Sequence, residues 1–172
     1  MMSNTQFFWL LPFLGIVAMG CGSQQVATYS GPLSDGNQYI LETEPSGALT
    51  PTDIKELGDQ TALMVLAGRI DAGDIEPFQT GAASFIMSQL PDQSHAGGDP
   101  THADNCPFCK RKLKNAPKAV VRIVDDSGSV LPVDARQLLG VSKGDVVVVQ
   151  GLATYLEPVN TVQIDAQSIF IR

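Results

Sequence analysis

The chain has 172 residues, of which 44% are hydrophobic, and its 11 basic and 18 acidic residues give a formal net charge of −7. This length is sufficient for one domain with short accessory segments. Because an acidic domain repels phosphate backbones, the composition argues against nucleic acid as a partner.

An uncharged apolar stretch near the start of the chain, residues 7–20, ends at Cys21. It is shorter than the roughly 20 apolar residues of a membrane span and has the length of a signal-peptide core. The segment Ala-Met-Gly-Cys that ends at Cys21 resembles the lipobox of bacterial lipoproteins. The resemblance implies that residues 1–21 are a lipoprotein signal peptide and that Cys21 is acylated, anchoring the protein to a membrane of the cell envelope.

Two alternatives for this segment are an uncleaved anchor helix and plain secretion, and both also place the domain in the periplasm or outside the cell. The following residues 22–58 contain Gly, Ser, Gln and Pro, few aliphatic side chains and no clear period. We therefore expect them to form a flexible tether. Within the tether, residues 52–58 have the pattern of one or two helical turns, with Thr52 as the cap and Gly58 as the end.

After residue 58 the pattern changes to short β-branched and alternating runs. They predict five strands, over residues 62–70, 82–90, 118–124, 146–153 and 161–172. Gly68 indicates a bulge or a sharp bend in the first strand. A short helix is expected between the third and fourth strands, with Asp134 as its N-cap and Gly140 just beyond its end.

Five strands with one short helix between the third and the fourth match the OB-fold, a five-stranded Greek-key barrel. The sequence also resembles bacterial OB-fold proteins in several motifs: a glycine late in strand one (Gly68), an Asp-x-x-Gly turn (Asp125 to Gly128), a Gly-Asp-x-Val-x-Val-x-Gly segment (Gly144 to Gly151) and a closing strand with Ile164, Asp165 and Ile169. The resemblance implies a mainly β, OB-fold-like domain over residues 59–172. A long loop insertion, residues 91–117, would separate strands two and three.

The insertion contains both histidines of the chain and every cysteine except Cys21. Two thiolates in a Cys-x-x-Cys spacing can bind one metal ion from a single turn, and two imidazoles complete a tetrahedral shell. The segment Cys-Pro-Phe-Cys is also similar to the knuckles of zinc ribbons. We therefore predict a Zn²⁺ site formed by His95, His102, Cys106 and Cys109, which would order the insertion. Copper handling is the alternative use of these soft ligands.

Three alternatives to a metal site stay open for the cysteine pair. The motif resembles thioredoxin-family active sites, which lie after a strand at the start of a helix, but the surrounding sequence predicts no such context. A disulfide would suit an oxidising envelope, and chance clustering is the third alternative. Haem attachment is excluded, because Lys110 occupies the place of the required histidine. Five cations between residues 110 and 118 are expected to favour deprotonation of both thiols.

No further catalytic constellation is visible in the sequence, which has neither a nucleophile elbow nor a phosphate-binding loop. We therefore expect a non-enzymatic envelope lipoprotein whose barrel binds a partner protein or a small ligand and whose insertion holds a structural metal ion. The alternative is a thiol-redox or metal-handling envelope protein that uses Cys-Pro-Phe-Cys.

Overall fold

Five strands form the framework of the computed structural model, which describes residues 35–92 and 105–172. In chain order they are β1 (Ala62–Ile70), β2 (Ser84–Ser88), β3 (Lys118–Ile123), β4 (Val146–Leu156) and β5 (Thr161–Ile171). The described helices are α1 (Pro51–Leu57), α2 (Pro107–Asn115) and α3 (Ala135–Leu139), with 3-10 turns at Gly36–Tyr39 and Glu157–Val159. None of these helices has the length and apolar character of a membrane span.

The strands close into a barrel in the order β1-β2-β3-β5-β4. β3 and β5 run parallel, whereas the other neighbouring pairs are antiparallel. With α3 inserted between β3 and β4, this is the Greek-key arrangement of the OB-fold, so the predicted fold class is confirmed. The alternating burial of β3, in which Ala119, Val121 and Ile123 are completely buried, shows how period-two sequences fill the barrel interior.

Two glycines permit close approaches between strands. A Cβ atom at Gly68 would lie 2.9 Å from the carbonyl oxygen of Ser88, where β1 passes from pairing with β4 to pairing with β2. The register of β1 with β4 runs through Gly68 without a break, so the irregularity predicted there is a close approach and not a bulge. The register shift lies instead at Gly151 of β4, where a Cβ atom would lie 2.2 Å from the carbonyl oxygen of Asp165.

Helix α3 has the predicted ends. The carboxylate of Asp134 accepts a hydrogen bond from the backbone N–H of Arg136 at 2.9 Å, and Gly140 closes the helix in the left-handed region at φ 70°. Both are standard ways to satisfy the polar groups that a helix end leaves without partners.

The segment predicted as a flexible tether differs from that prediction in its described part, residues 35–58. Helix α1 begins with a capping box between Thr50 and Asp53, and its Ile54 is completely buried against the barrel. Leu49 exchanges two backbone hydrogen bonds with β1, and the N–H of Leu41 donates to Ile169 of β5 at 2.7 Å. Because backbone bonding to strands supplements the few apolar contacts, a segment poor in aliphatic residues still packs here.

The insertion expected to be a loop also contains regular structure, because α2 occupies most of its described part, residues 105–117. Its Lys-Arg-Lys-Leu-Lys segment consists of good helix formers, and Pro107 suits the first helical position. The predicted signal peptide, residues 1–21, and residues 93–104 of the insertion lie outside the described residues.

Candidate thiol and metal site

Helix α2 brings the two cysteines of the insertion together. Cys106 is the N-cap residue, with extended backbone angles, and its carbonyl accepts a hydrogen bond from Lys110 at 3.0 Å. Cys109 lies in the first turn, and its side chain is hydrogen bonded to that of Cys106. Since residues three apart share one face of a helix, both thiols lie on the same side of α2 and are half-buried.

The surroundings of Cys109 favour its neutral thiol. Burial raises the pKa of Cys109, and the hydrogen bond and charge of Cys106 raise it further, as does Asp92. Lys112 lowers this pKa but does not reverse the shift. The nearby cation therefore acts in the expected direction, but burial and Cys106 outweigh it, so the pKa of Cys109 is raised and not lowered. A metal ion that binds this sulfur must displace its proton, which makes binding weaker in acid.

Cys109 borders a small groove between α2 and the segment that follows β2. The groove has a volume of about 270 Å³, and its walls are formed by Gln89, Pro91, Asp92, Phe108, Cys109, Lys112 and Leu113. The side-chain oxygen of Gln89 accepts hydrogen bonds from the hydroxyl and the N–H of Thr52, at 2.5 and 3.3 Å. This contact ties the groove to the start of α1, so its floor belongs to the packed domain.

The structure brings together two of the four predicted metal ligands, Cys106 and Cys109. His95 and His102, like Cys21, lie outside the described residues. Within residues 35–92 and 105–172, no group of three or more His, Cys, Asp or Glu side chains is placed to hold a metal ion. Any complete metal shell that includes this thiol pair therefore needs ligands from the residues outside 35–92 and 105–172 or from outside the chain.

The groove was not predicted from the sequence. A signal was present, because Cys106, Cys109 and Leu113 have the i, i+3, i+7 spacing of a helix face that packs against another surface. These three are the half-buried residues of α2 and its N-cap, whereas Phe108 is 80% exposed.

The carboxylates of the β3–α3 turn have structural partners. Asp125 accepts hydrogen bonds from the N–H groups of Ser127 and Ser129 at 2.8 and 3.0 Å, and the Ser127 hydroxyl is the main cause of its lowered pKa. The assignment of Asp125 to a turn is thus confirmed. On the barrel, Asp165 of β5 accepts two hydrogen bonds from Arg122, at 2.6 and 2.7 Å.

Comparison with known proteins yields little. No protein-family model matches the sequence, and no curated protein matches it. Among solved structures, the chain is similar to aspartyl tRNA synthetase from Entamoeba histolytica, with a TM-score of 0.36 and 12% sequence identity. The similarity covers 77% of this chain and 23% of the synthetase chain, so this chain spans about a quarter of that protein. A likeness of this size carries no argument about activity.

Proposed function

We propose that this chain is a non-enzymatic, lipid-anchored protein of the cell envelope, in which an OB-fold barrel presents a zinc centre on its β2–β3 insertion. Cys106 and Cys109 would supply two thiolates, and His95 and His102 would supply two imidazoles. The observation that carries the proposal is the pair of hydrogen-bonded thiols on one turn of α2.

The thiol pair suits a metal ion because both sulfurs lie on one face of a helix. Zinc would displace the thiol protons, and its charge would offset the cost of holding two thiolates side by side. His102 precedes Cys106 by four residues, so the chain allows at most about 14 Å between their Cα atoms. Four protein ligands close a tetrahedral shell and leave no position for a substrate, which favours a structural role.

Membrane attachment is proposed on the sequence of residues 7–21, with Cys21 as the acylated residue. Residues 22–34 separate Cys21 from the described domain and can extend over at most about 50 Å. The barrel would therefore stay close to the membrane surface and would meet its partner, an envelope protein or a small ligand, there.

Metal analysis of the full chain tests the proposal. Purified in detergent under reducing conditions, the chain should bind one Zn²⁺, and either Cys106→Ser or Cys109→Ser should weaken binding more than substitution of His95 or His102, because thiolates neutralise the ion. The matched control is Cys21→Ser, which removes the third cysteine and should leave the stoichiometry at one. Failure to take up either Zn²⁺ or Cu(I) at micromolar concentration would contradict the zinc centre.

A second candidate function is thiol–disulfide exchange, and one observation favours it. Cys-Pro-Phe-Cys lies at the start of the nine-residue helix α2, a placement that resembles thioredoxin-family motifs and that the sequence did not predict. Thiol counts on the full chain as isolated and after reduction distinguish the candidates. Exchange predicts two additional titratable thiols after reduction, whereas the zinc centre predicts two thiols that alkylate only after chelation of the metal.

A further inference from the structure

Helix α2 concentrates positive charge in a negatively charged chain. Lys110, Arg111, Lys112 and Lys114 are four of the 11 basic residues and lie within five positions, whereas the chain as a whole has a net charge of −7. The helix itself, Pro107–Asn115, contains no acidic residue. The charge of α2 is therefore opposite in sign to the net charge of the chain.

These charges face solvent. The half-buried residues Cys106, Cys109 and Leu113 define the side of α2 that packs on the domain, and Arg111 lies opposite them on the helical wheel. Within the part of the chain that the structure describes, Lys110, Arg111 and Lys114 form no ion pair, and Lys112 approaches Asp92 only at 4.0 Å with both side chains exposed.

An aromatic ring accompanies the cations. Phe108 is 80% exposed, the largest exposed fraction of any large hydrophobic residue among those described. It lies one turn before Arg111 and Lys112, on the solvent side of the helix. A cluster of four Lys and Arg residues on a helix is typical of surfaces that attract anionic lipid headgroups, and an exposed aromatic side chain beside it can enter the membrane interface.

We propose that this face of α2, formed by Phe108, Lys110, Arg111, Lys112 and Lys114, docks on an anionic phospholipid surface. The cations would contact the headgroups and Phe108 would enter the interface. The inference rests on the proposed lipid anchor for its setting, because a tether of at most about 50 Å keeps α2 near the bilayer. The anchor alone does not orient the barrel, since this reach exceeds the roughly 36 Å of an eleven-residue strand such as β4.

Docking would orient the molecule with the thiol pair close to the bilayer, because Cys109 and Phe108 border the same groove. The rest of the acidic surface would be repelled by the same headgroups and would face away from them. The charge distribution thus selects one orientation among those that the tether allows. Nucleic acid would be attracted by the same cations, but the net charge of −7 disfavours it, and its binding is one outcome that the test distinguishes.

Hydrogen exchange on vesicles tests the proposal. The full chain is reconstituted into vesicles of phosphatidylcholine, with and without phosphatidylglycerol, so that the anchor is the same in both. Amide exchange in α2 should be slowed by about tenfold or more in the anionic vesicles, since each docked cation contributes about fivefold to binding. The protection should disappear at high salt.

Variants make the test specific. Arg111→Glu combined with Lys114→Glu should abolish the difference between the two vesicles, and Phe108→Ala should reduce it. The control is Lys143→Glu, whose ammonium group donates to the carbonyl of Gly73 away from α2, and it should keep the difference. Equal exchange rates in both vesicles, or protection by a single-stranded oligonucleotide in place of anionic lipid, would overturn the proposal. Zinc content is measured on the same samples, so protection without zinc would contradict only the metal centre.

Discussion

At Cys109, burial and the neighbouring thiol outweigh a nearby cation. The pKa of Cys109 is raised by burial and by Cys106, with smaller opposing contributions from Lys112, which lowers it, and Asp92, which raises it. Counting charges along the sequence gives the direction of the Lys112 contribution but not that of the net shift, because the sequence contains no information about how the side chains of α2 are buried.

Removal of a negative charge and removal of a positive charge near Cys109 should change the reactivity of its thiol in opposite directions. In metal-free protein at fixed pH, Asp92→Asn removes a charge that raises the Cys109 pKa and should speed alkylation of this thiol. Lys112→Gln removes a charge that lowers the pKa and should slow it. Alkylation rates resolved by mass spectrometry check both, and the same direction of change for the two variants would contradict these electrostatic assignments.

Asp134 links the stability of α3 to pH. Its side chain is mostly buried and accepts hydrogen bonds from the backbone and guanidinium of Arg136, which lower the pKa of Asp134. A carboxyl group whose pKa is lower in the folded state stabilises the fold at pH values above its ordinary pKa of about 3.9. This contribution is lost as the pH falls from there through the lower pKa of the folded state.

Asp134→Asn should therefore lower the free energy of unfolding at pH 7 by about 1 to 2 kcal/mol and flatten its decline in acid. The asparagine keeps a capping oxygen but loses the charge, whereas Asp134→Ala loses both and should cost more. Denaturant titrations at pH 7 and at successively lower pH provide the measurement. An unchanged slope below pH 4 for Asp134→Asn would show that Asp134 does not contribute.

At the scale of elements, α3, the strands and the helical turns of α1 ending at Gly58 were predictable, whereas the packing of α1 on the barrel and the helix α2 were not. α3 has local signals at both ends, Asp134 and Gly140, and β3 has strict alternation. The signals of α1 begin at Thr50, two residues before the predicted cap. Its two buried residues, Pro51 and Ile54, are too few to form a periodic pattern that predicts packing on the barrel. α2 is a run of cations whose packing face contains cysteines, so hydrophobicity alone does not reveal it.

The position of α1 gives a direct test of whether residues 35–58 belong to the domain. Ile54→Ala should lower the free energy of unfolding by about 2 to 4 kcal/mol, because it leaves a cavity against the barrel. Leu57→Ala in the same helix is the matched control, and it should cost about 1 kcal/mol or less, since Leu57 is 45% exposed. Equal, small effects of the two variants would favour a loose tether.

At the scale of the whole molecule, the barrel core and the proposed zinc centre are separate. No residue of α2 is fully buried, whereas every strand contributes to the core inside the barrel. Removal of zinc by a chelator should therefore shift the unfolding midpoint of the barrel only slightly and should accelerate amide exchange in α2. Global unfolding on chelation, followed by circular dichroism, would show that the metal centre is part of the core.

The proposed function depends above all on the ligand set of the zinc centre, which zinc X-ray absorption spectroscopy of the reduced full chain can determine. We expect two sulfur neighbours at about 2.3 Å, from Cys106 and Cys109, and two nitrogen neighbours at about 2.0 to 2.1 Å, from His95 and His102. In the Cys106→Ser variant, the spectrum should show only one sulfur neighbour of the zinc ion. A first shell made only of oxygen and nitrogen, or a chain that retains no zinc, would contradict the proposed zinc centre.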